Sequence, residues 1–241
     1  AWWHAHEMVF GFAMPVVAGF LLSAVATWTG LPGTTGWRLQ LLFGLWLSAR
    51  LLLWLMPQLH LLAWLAEILF ILLLTWELSS RVWLKRQWRN LLFTPVLLLL
   101  ALLCCASYMN MEDAANSQTL HYSAVWMITV LVVIIGGRVI PLFTGNRLGQ
   151  KIQPLPPLFE YTTIGVTALI AAGFAVATPA ASTGWLQMLC LIGATIHLLR
   201  MARWRGWLTL RIPLLWSMHL SYLCIPLALL GLGLSNDAAE T

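Results

Sequence analysis

Residues 91–108 read Leu-Leu-Phe-Thr-Pro-Val-Leu-Leu-Leu-Leu-Ala-Leu-Leu-Cys-Cys-Ala-Ser-Tyr, without a single charge. At 1.5 Å per residue the run makes a helix about 27 Å long, close to the roughly 30 Å of a bilayer's hydrocarbon core. Its flanks differ in sign: Arg81, Lys85, Arg86 and Arg89 come before it, Glu112 and Asp113 after it. The stretch reads as a membrane-spanning helix with one cationic and one anionic end.

The same reading, carried outward, gives eight apolar runs: 8–28, 37–56, 59–79, 91–108, 120–144, 159–178, 185–200 and 212–234. Over 241 residues the chain is 61% hydrophobic and 9% charged, and its mean hydropathy is +0.84. Those values exclude a water-soluble core. No period-two alternation marks the runs, so a transmembrane β-barrel is excluded as well. The expected fold is all-α, a polytopic bundle of about eight transmembrane helices forming a single transmembrane domain over 1–241. The lipid bilayer is its first partner, and the oligomeric state stays open.

A net charge of +5 would suggest nucleic acid in a soluble protein. Here 11 of the 13 Lys and Arg fall in short connections, which leaves Arg50 and Arg138 inside spans. Arg38, Arg81, Lys85, Arg86, Arg89, Arg147, Lys151, Arg200, Arg203, Arg205 and Arg211 all land on one side of an eight-crossing zigzag, and an acidic tail with Asp237 and Glu240 ends on the other. The positive-inside rule makes the cationic side cytoplasmic and both ends periplasmic, and no nucleic-acid partner is expected. The chain opens Ala-Trp-Trp-His-Ala-His-Glu, with neither Met nor a basic leader, and is expected to be a fragment of a longer protein. Many of the Trp residues cluster near predicted interfaces, as membrane belts do. Cys104, Cys105, Cys190 and Cys224 lie in apolar stretches without C-x-x-C spacing, and are expected as free, small apolar residues. Gly11, Pro15, Gly19, Ser23 and Thr27 recur every four residues, which predicts a buried small-residue face and a central first helix.

Ionisable groups at membrane depth cost about 2.5–3.5 kcal/mol each on insertion scales, so each needs a partner or a task. Arg50 and Glu67 both fall roughly 10–12 Å below the outer surface by helical rise, and the expected arrangement is a structural ion pair. The histidines form two layers: His4, His6 and His121 at the outer helix ends, with His60 nearby, and His197 with His219 in the inner third at about the depth of Arg138. Paired imidazoles at one depth suit axial haem ligation, and three at one layer suit copper. His4 and Glu7 share a face if helical, and Glu7 is counted with the metal candidates. Arg138 follows Gly136-Gly137 and precedes Pro141. A locally broken helix is expected there, one that could receive a haem propionate, a substrate anion or a carboxylate such as Glu160.

Several of these stretches occur together elsewhere. Trp3-His4-Ala5-His6-Glu7-Met8-Val9-Phe10-Gly11-Phe12, Ala18-Gly19-Phe20-Leu21-Leu22 through Trp28-Thr29-Gly30, Gly136-Gly137-Arg138-Val139-Ile140-Pro141-Leu142-Phe143-Thr144 and Ser217-Met218-His219-Leu220-Ser221-Tyr222 resemble the NnrS family in motif and order. The resemblance implies a bacterial inner-membrane protein of about twelve spans, containing haem and copper and linked to nitric oxide metabolism and nitrosative stress. It also implies further spans beyond residue 241. Three functions follow as expectations: a haem- and copper-binding protein of nitrosative stress without assigned turnover, a secondary transporter that seats a small anion at Arg138, or a redox enzyme acting on nitric oxide. The enzyme would require a proton path of several buried carboxylates, for which the sequence offers only Glu67, with Glu77 and Glu160 as further candidates.

Overall fold

The structure, a computed structural model, describes residues 2–149, 152, 155–176 and 184–235. Lys151, Asp237 and Glu240, part of the charge pattern above, lie outside the described residues. No strand occurs among the described residues, and eight helices are long and apolar enough to cross a membrane. They are α1 (Trp2–Thr29), α2 (Trp37–Leu55), α3 (Pro57–Leu84), α4 (Trp88–Met109), α5 (Ala114–Leu148), α6 (Pro157–Val176), α7 (Gly184–Arg203) and α8 (Pro213–Leu234). The chain divides into two compact units, Ala1–Met127 and Ile128–Thr241.

In the first unit α3 is central, with α1, α2 and α4 packed on it. Ala63, Ala66, Phe70, Ile71, Leu74, Leu78 and Val82 of α3 are buried, while Leu65, Leu69, Leu72 and Trp76 are exposed. This helical spacing puts one face in protein and leaves the other for acyl chains.

The small-residue stripe of α1 does not form the expected buried face. Gly11 is buried, whereas Gly19, Ser23 and Thr27 are exposed. A spacing of four residues advances about 40° beyond a full turn at each step, so Gly11 and Thr27 end up on different sides. The buried stripe is instead Val9, Phe10, Met14, Val17, Ala18, Leu21 and Val25, whose larger side chains make more contacts. Ser23 donates to the Gly19 carbonyl at 2.8 Å and Thr27 to that of Ser23 at 3.4 Å, which satisfies both hydroxyls on a lipid-facing surface. Glu7–Ala13 within α1 is π-helical, a wider winding found often at functional sites.

In the second unit α7 packs along α8, and α6 along α7. Two expectations are corrected here. Arg200 is not a loop cation: it belongs to α7 and its side chain is fully buried. Nor is α5 broken, since it stays helical through Gly136, Gly137, Arg138 and Pro141. The two glycines serve close packing. A Cβ on Gly136 would meet the Tyr222 ring at 3.0 Å, and one on Gly137 would fall on the Arg200 guanidinium.

Candidate functional site

The first turns of α1 bring His6 into the first unit, where it is wholly buried. Trp2 stacks on its ring at a centroid distance of 4.4 Å, with Phe10 and Tyr108 each at 4.9 Å. His6 Nε2 lies 2.7 Å from Glu67 Oε2, which also accepts from the Tyr108 hydroxyl at 3.0 Å. Arg50 of α2 pairs with Glu67 Oε1, and its Nε lies 3.2 Å from Glu7 Oε1. Glu7 Oε1, Arg50 Nε and Arg50 Nη1 are nevertheless buried without an aligned hydrogen bond. Gly11 makes this crowding possible, because a Cβ there would collide with the Glu7 carboxylate and lie 2.8 Å from Arg50 Nη1.

Ser107 extends the cluster to His121. The His121 Nδ1 is 2.7 Å from the Ser117 carbonyl, which can only accept, so Nδ1 carries the proton. The bare Nε2 then accepts from the Ser107 hydroxyl at 3.1 Å. With its one proton committed, Ser107 Oγ accepts from Trp2 Nε1 at 2.9 Å and from His6 Nδ1 at 3.3 Å. His6 Nδ1 is therefore the donor, and a proton occupies the short contact between His6 Nε2 and Glu67.

A sulfur completes the set. One ligand atom each of His6, Glu67 and Cys104 lies within 4.8 Å of the others, and all three residues are buried. Donors around an ion at about 2.0–2.3 Å stand at most about 4.5 Å apart, so small side-chain rotations close this group. Imidazole with a thiolate is a donor set that suits copper. These residues fit copper, which His6, Cys104 and Glu67 could hold.

The second unit has its own polar cluster. Arg200 reaches Glu160 of α6 with two nitrogens, Nε at 3.2 Å from Oε1 and Nη2 against Oε2. Its Nη1 donates to the Val133 carbonyl at 2.9 Å and to the Tyr222 hydroxyl at 2.7 Å. Thr167 donates to the Thr163 carbonyl at 2.8 Å, so its oxygen accepts from His197 Nε2 at 3.1 Å. The other ring nitrogen, Nδ1, then accepts from the Tyr222 hydroxyl at 2.9 Å. Every proton in this chain has one direction. His219 instead bonds Thr144 through Nε2 at 3.0 Å.

The sequence-predicted residues thus separate. The structure brings together His6, His121, Glu7, Arg50 and Glu67. His4 is exposed, because residues two apart on a helix point about 200° from each other, so the set His4, His6 and His121 is not assembled. Glu7 is turned toward Arg50 and not toward His4. His197 and His219 do not converge: His197 meets the Tyr222 ring, His219 faces Trp204, and those two rings pack at 4.8 Å. Arg138 is partly buried in the continuous helix, and Glu160 bonds Arg200. Haem does not fit between the buried histidines: Ser107 bridges His6 and His121, and the Tyr222 and Trp204 rings are packed between His197 and His219, so neither pair leaves room for a porphyrin between its imidazoles. Sequence reading missed Cys104, Ser107, Tyr108 and Arg200. Cys104, Ser107 and Tyr108 follow one helical face of α4 at spacings of three and one, a signal indistinguishable from ordinary core.

No curated protein and no solved structure matches the chain. One family model, described as NnrS protein, matches residues 1–240. The buried His6 cluster and the Gly136-to-Thr144 helix both lie within that match, and the chain belongs to the NnrS family.

Proposed function

We propose that this chain is a copper-binding protein of the bacterial inner membrane, related to nitric oxide metabolism and resistance to nitrosative stress, with both ends of the described chain on the periplasmic side. The observation that carries the reading is the buried convergence of His6, Glu67 and Cys104. Family membership supports the link to nitric oxide. Bound copper supplies one-electron redox chemistry and affinity for small diatomic ligands. The chain's own residues supply the rest: His6 and Cys104 offer nitrogen and sulfur, Arg50 offsets the Glu67 charge, and Ser107 orients His6. Loading requires the His6–Glu67 proton and the Cys104 thiol proton to leave, so protons are released on binding.

The rival readings lose their motivating observations. The helix α5 is continuous where a transporter reading expects a break, and Glu67, Glu77 and Glu160 each pair with an arginine, which favours the copper reading. Metal analysis and X-ray absorption of the purified protein test the reading. Stoichiometric copper with nitrogen and sulfur neighbours is expected, lost in His6→Ala and Cys104→Ala and kept in His60→Ala. Retention of copper in both cluster variants rejects it, and a Soret band dependent on His6 or His197 rejects the exclusion of haem.

A further inference from the structure

The other end of the first unit has a cleft that the metal site does not use. Between the α1–α2 connection and the last turns of α3 lies an open pocket of about 420 Å³ lined by Arg38, Arg81, Thr35, Ser80, Trp37 and Leu84, among others. Arg81 follows Glu67 by fourteen residues on one helix, which puts the two about 21 Å apart along the axis.

The connection is shaped by backbone conformation. Gly30 ends the first helix at φ 66 and Gly36 precedes α2 at φ 61, left-handed values that favour glycine. Arg81 Nε donates to the Pro32 carbonyl at 3.3 Å, which fixes the connection against α3. No side chain caps the start of α2, so the positive end of its dipole adds to the cations.

The charge balance is uneven. Two guanidiniums share a single carboxylate, the buried Glu77. Its Oε2 accepts from Thr34 at 2.8 Å and from Arg81 Nη1 at 2.5 Å, while Arg38 Nη1 stands 3.5 Å from Oε1. One positive charge is left over. Arg38 is 53% exposed and lies 5.5 Å from the Trp37 ring centre. Thr35 and Ser80 line the same pocket, and their hydroxyls take no part in these bonds. Two hydroxyl donors beside an excess guanidinium and an uncapped helix start are complementary to a tetrahedral oxyanion.

The surroundings identify the source of that anion. Trp37 at 68% and Leu84 at 70% exposure stand beside the polar group, and they mark where α2 begins and α3 ends, the depth of lipid headgroups. A ligand filling both parts has a phosphate head and an apolar stem. We propose that this cleft binds the phosphate of an anionic phospholipid, with Arg38, Thr35 and Ser80 as donors and Trp37 and Leu84 against the glycerol and upper acyl chains. It is a lipid site independent of the copper reading.

The test uses the full chain reconstituted in vesicles of phosphatidylcholine with or without phosphatidylglycerol, with lipid retention after purification read by native mass spectrometry. Preferential retention of phosphatidylglycerol is expected. Arg38→Ala should lower it about fivefold, the effect of one basic residue at an anionic surface, and the added Thr35→Val and Ser80→Ala should remove the preference. Melting temperature in phosphatidylcholine should change by little, because the half-exposed Arg38 reaches Glu77 only at 3.5 Å while Thr34 and Arg81 keep their hydrogen bonds to it. Equal retention of the two lipids by the wild type, or an undiminished preference in the triple variant, overturns the proposal. Loss of the phosphatidylglycerol preference when inorganic phosphate is present in excess overturns the lipid assignment in favour of a free anion.

Discussion

The two buried polar clusters solve one problem differently. In the second unit every side-chain nitrogen and oxygen of Arg200, Tyr222, His197 and Thr167 has at least one hydrogen-bond partner. In the first unit Arg50 and Glu7 keep buried atoms without aligned partners, and a proton lies between His6 and Glu67 beside a thiol. A closed network resists exchange, because any proton or ligand entering it must break a satisfied bond in a medium that offers no water. On the copper reading, the open network is the one that trades protons for a metal, and the closed one serves architecture.

The largest effect expected of this comparison is on stability in the second unit. Arg200→Ala leaves the Glu160 carboxylate without its cation, and removal of one partner of a buried pair costs about 3–5 kcal/mol. Arg200→Lys should recover little, since one ammonium cannot reproduce the fork on Glu160 together with the bonds to Val133 and Tyr222. Unfolding in mixed detergent measures both, and a wild-type midpoint for Arg200→Ala would break the architectural reading.

Gly137→Ala should follow at about 1–3 kcal/mol, because its methyl group has to displace the Arg200 guanidinium. Gly19→Ala, with nothing within 4 Å of its Cβ, is the control and should be neutral or slightly stabilising. Equal midpoints for the two alanines would show that Arg200 yields easily.

In the first unit the prediction reverses, with loss of function at small structural cost. Cys104→Ala deletes one buried sulfur, a change on the order of 1 kcal/mol, yet should abolish stoichiometric copper. A variant that keeps its copper, or unfolds, would erase the contrast between the clusters. The smallest effect belongs to His4→Ala, whose exposed ring should change stability by less than about 0.5 kcal/mol and leave copper content alone. Loss of copper in that variant would move the site to the helix start.

Much of the fold was legible because membrane spans announce themselves locally. Each run from 8–28 to 212–234 meets a length and polarity requirement set by the bilayer, and no distant contact can relax it. Depth along a span was legible for the same reason, so Arg50 and Glu67 could be matched from helical rise alone. Arg200 was misread as a loop cation because an arginine one turn inside a helix end and one just past it look alike in sequence. The small-residue stripe of α1 was misread because its phase drifts and because Glu7–Ala13 winds as a π-helix, which no spacing rule signalled.

By itself, then, the sequence determined what the solvent dictates: helices of bilayer length, their alternating charge, and the need of every buried ion for a partner. Which partner each one takes was decided by tertiary structure alone. Glu160 pairs with Arg200 because Gly137 lacks a Cβ, and Cys104 joins His6 and Glu67 because α1, α3 and α4 meet at one depth. Rotation about a helix axis carries no cost in lipid until another helix is present, so the angular choice is made by packing.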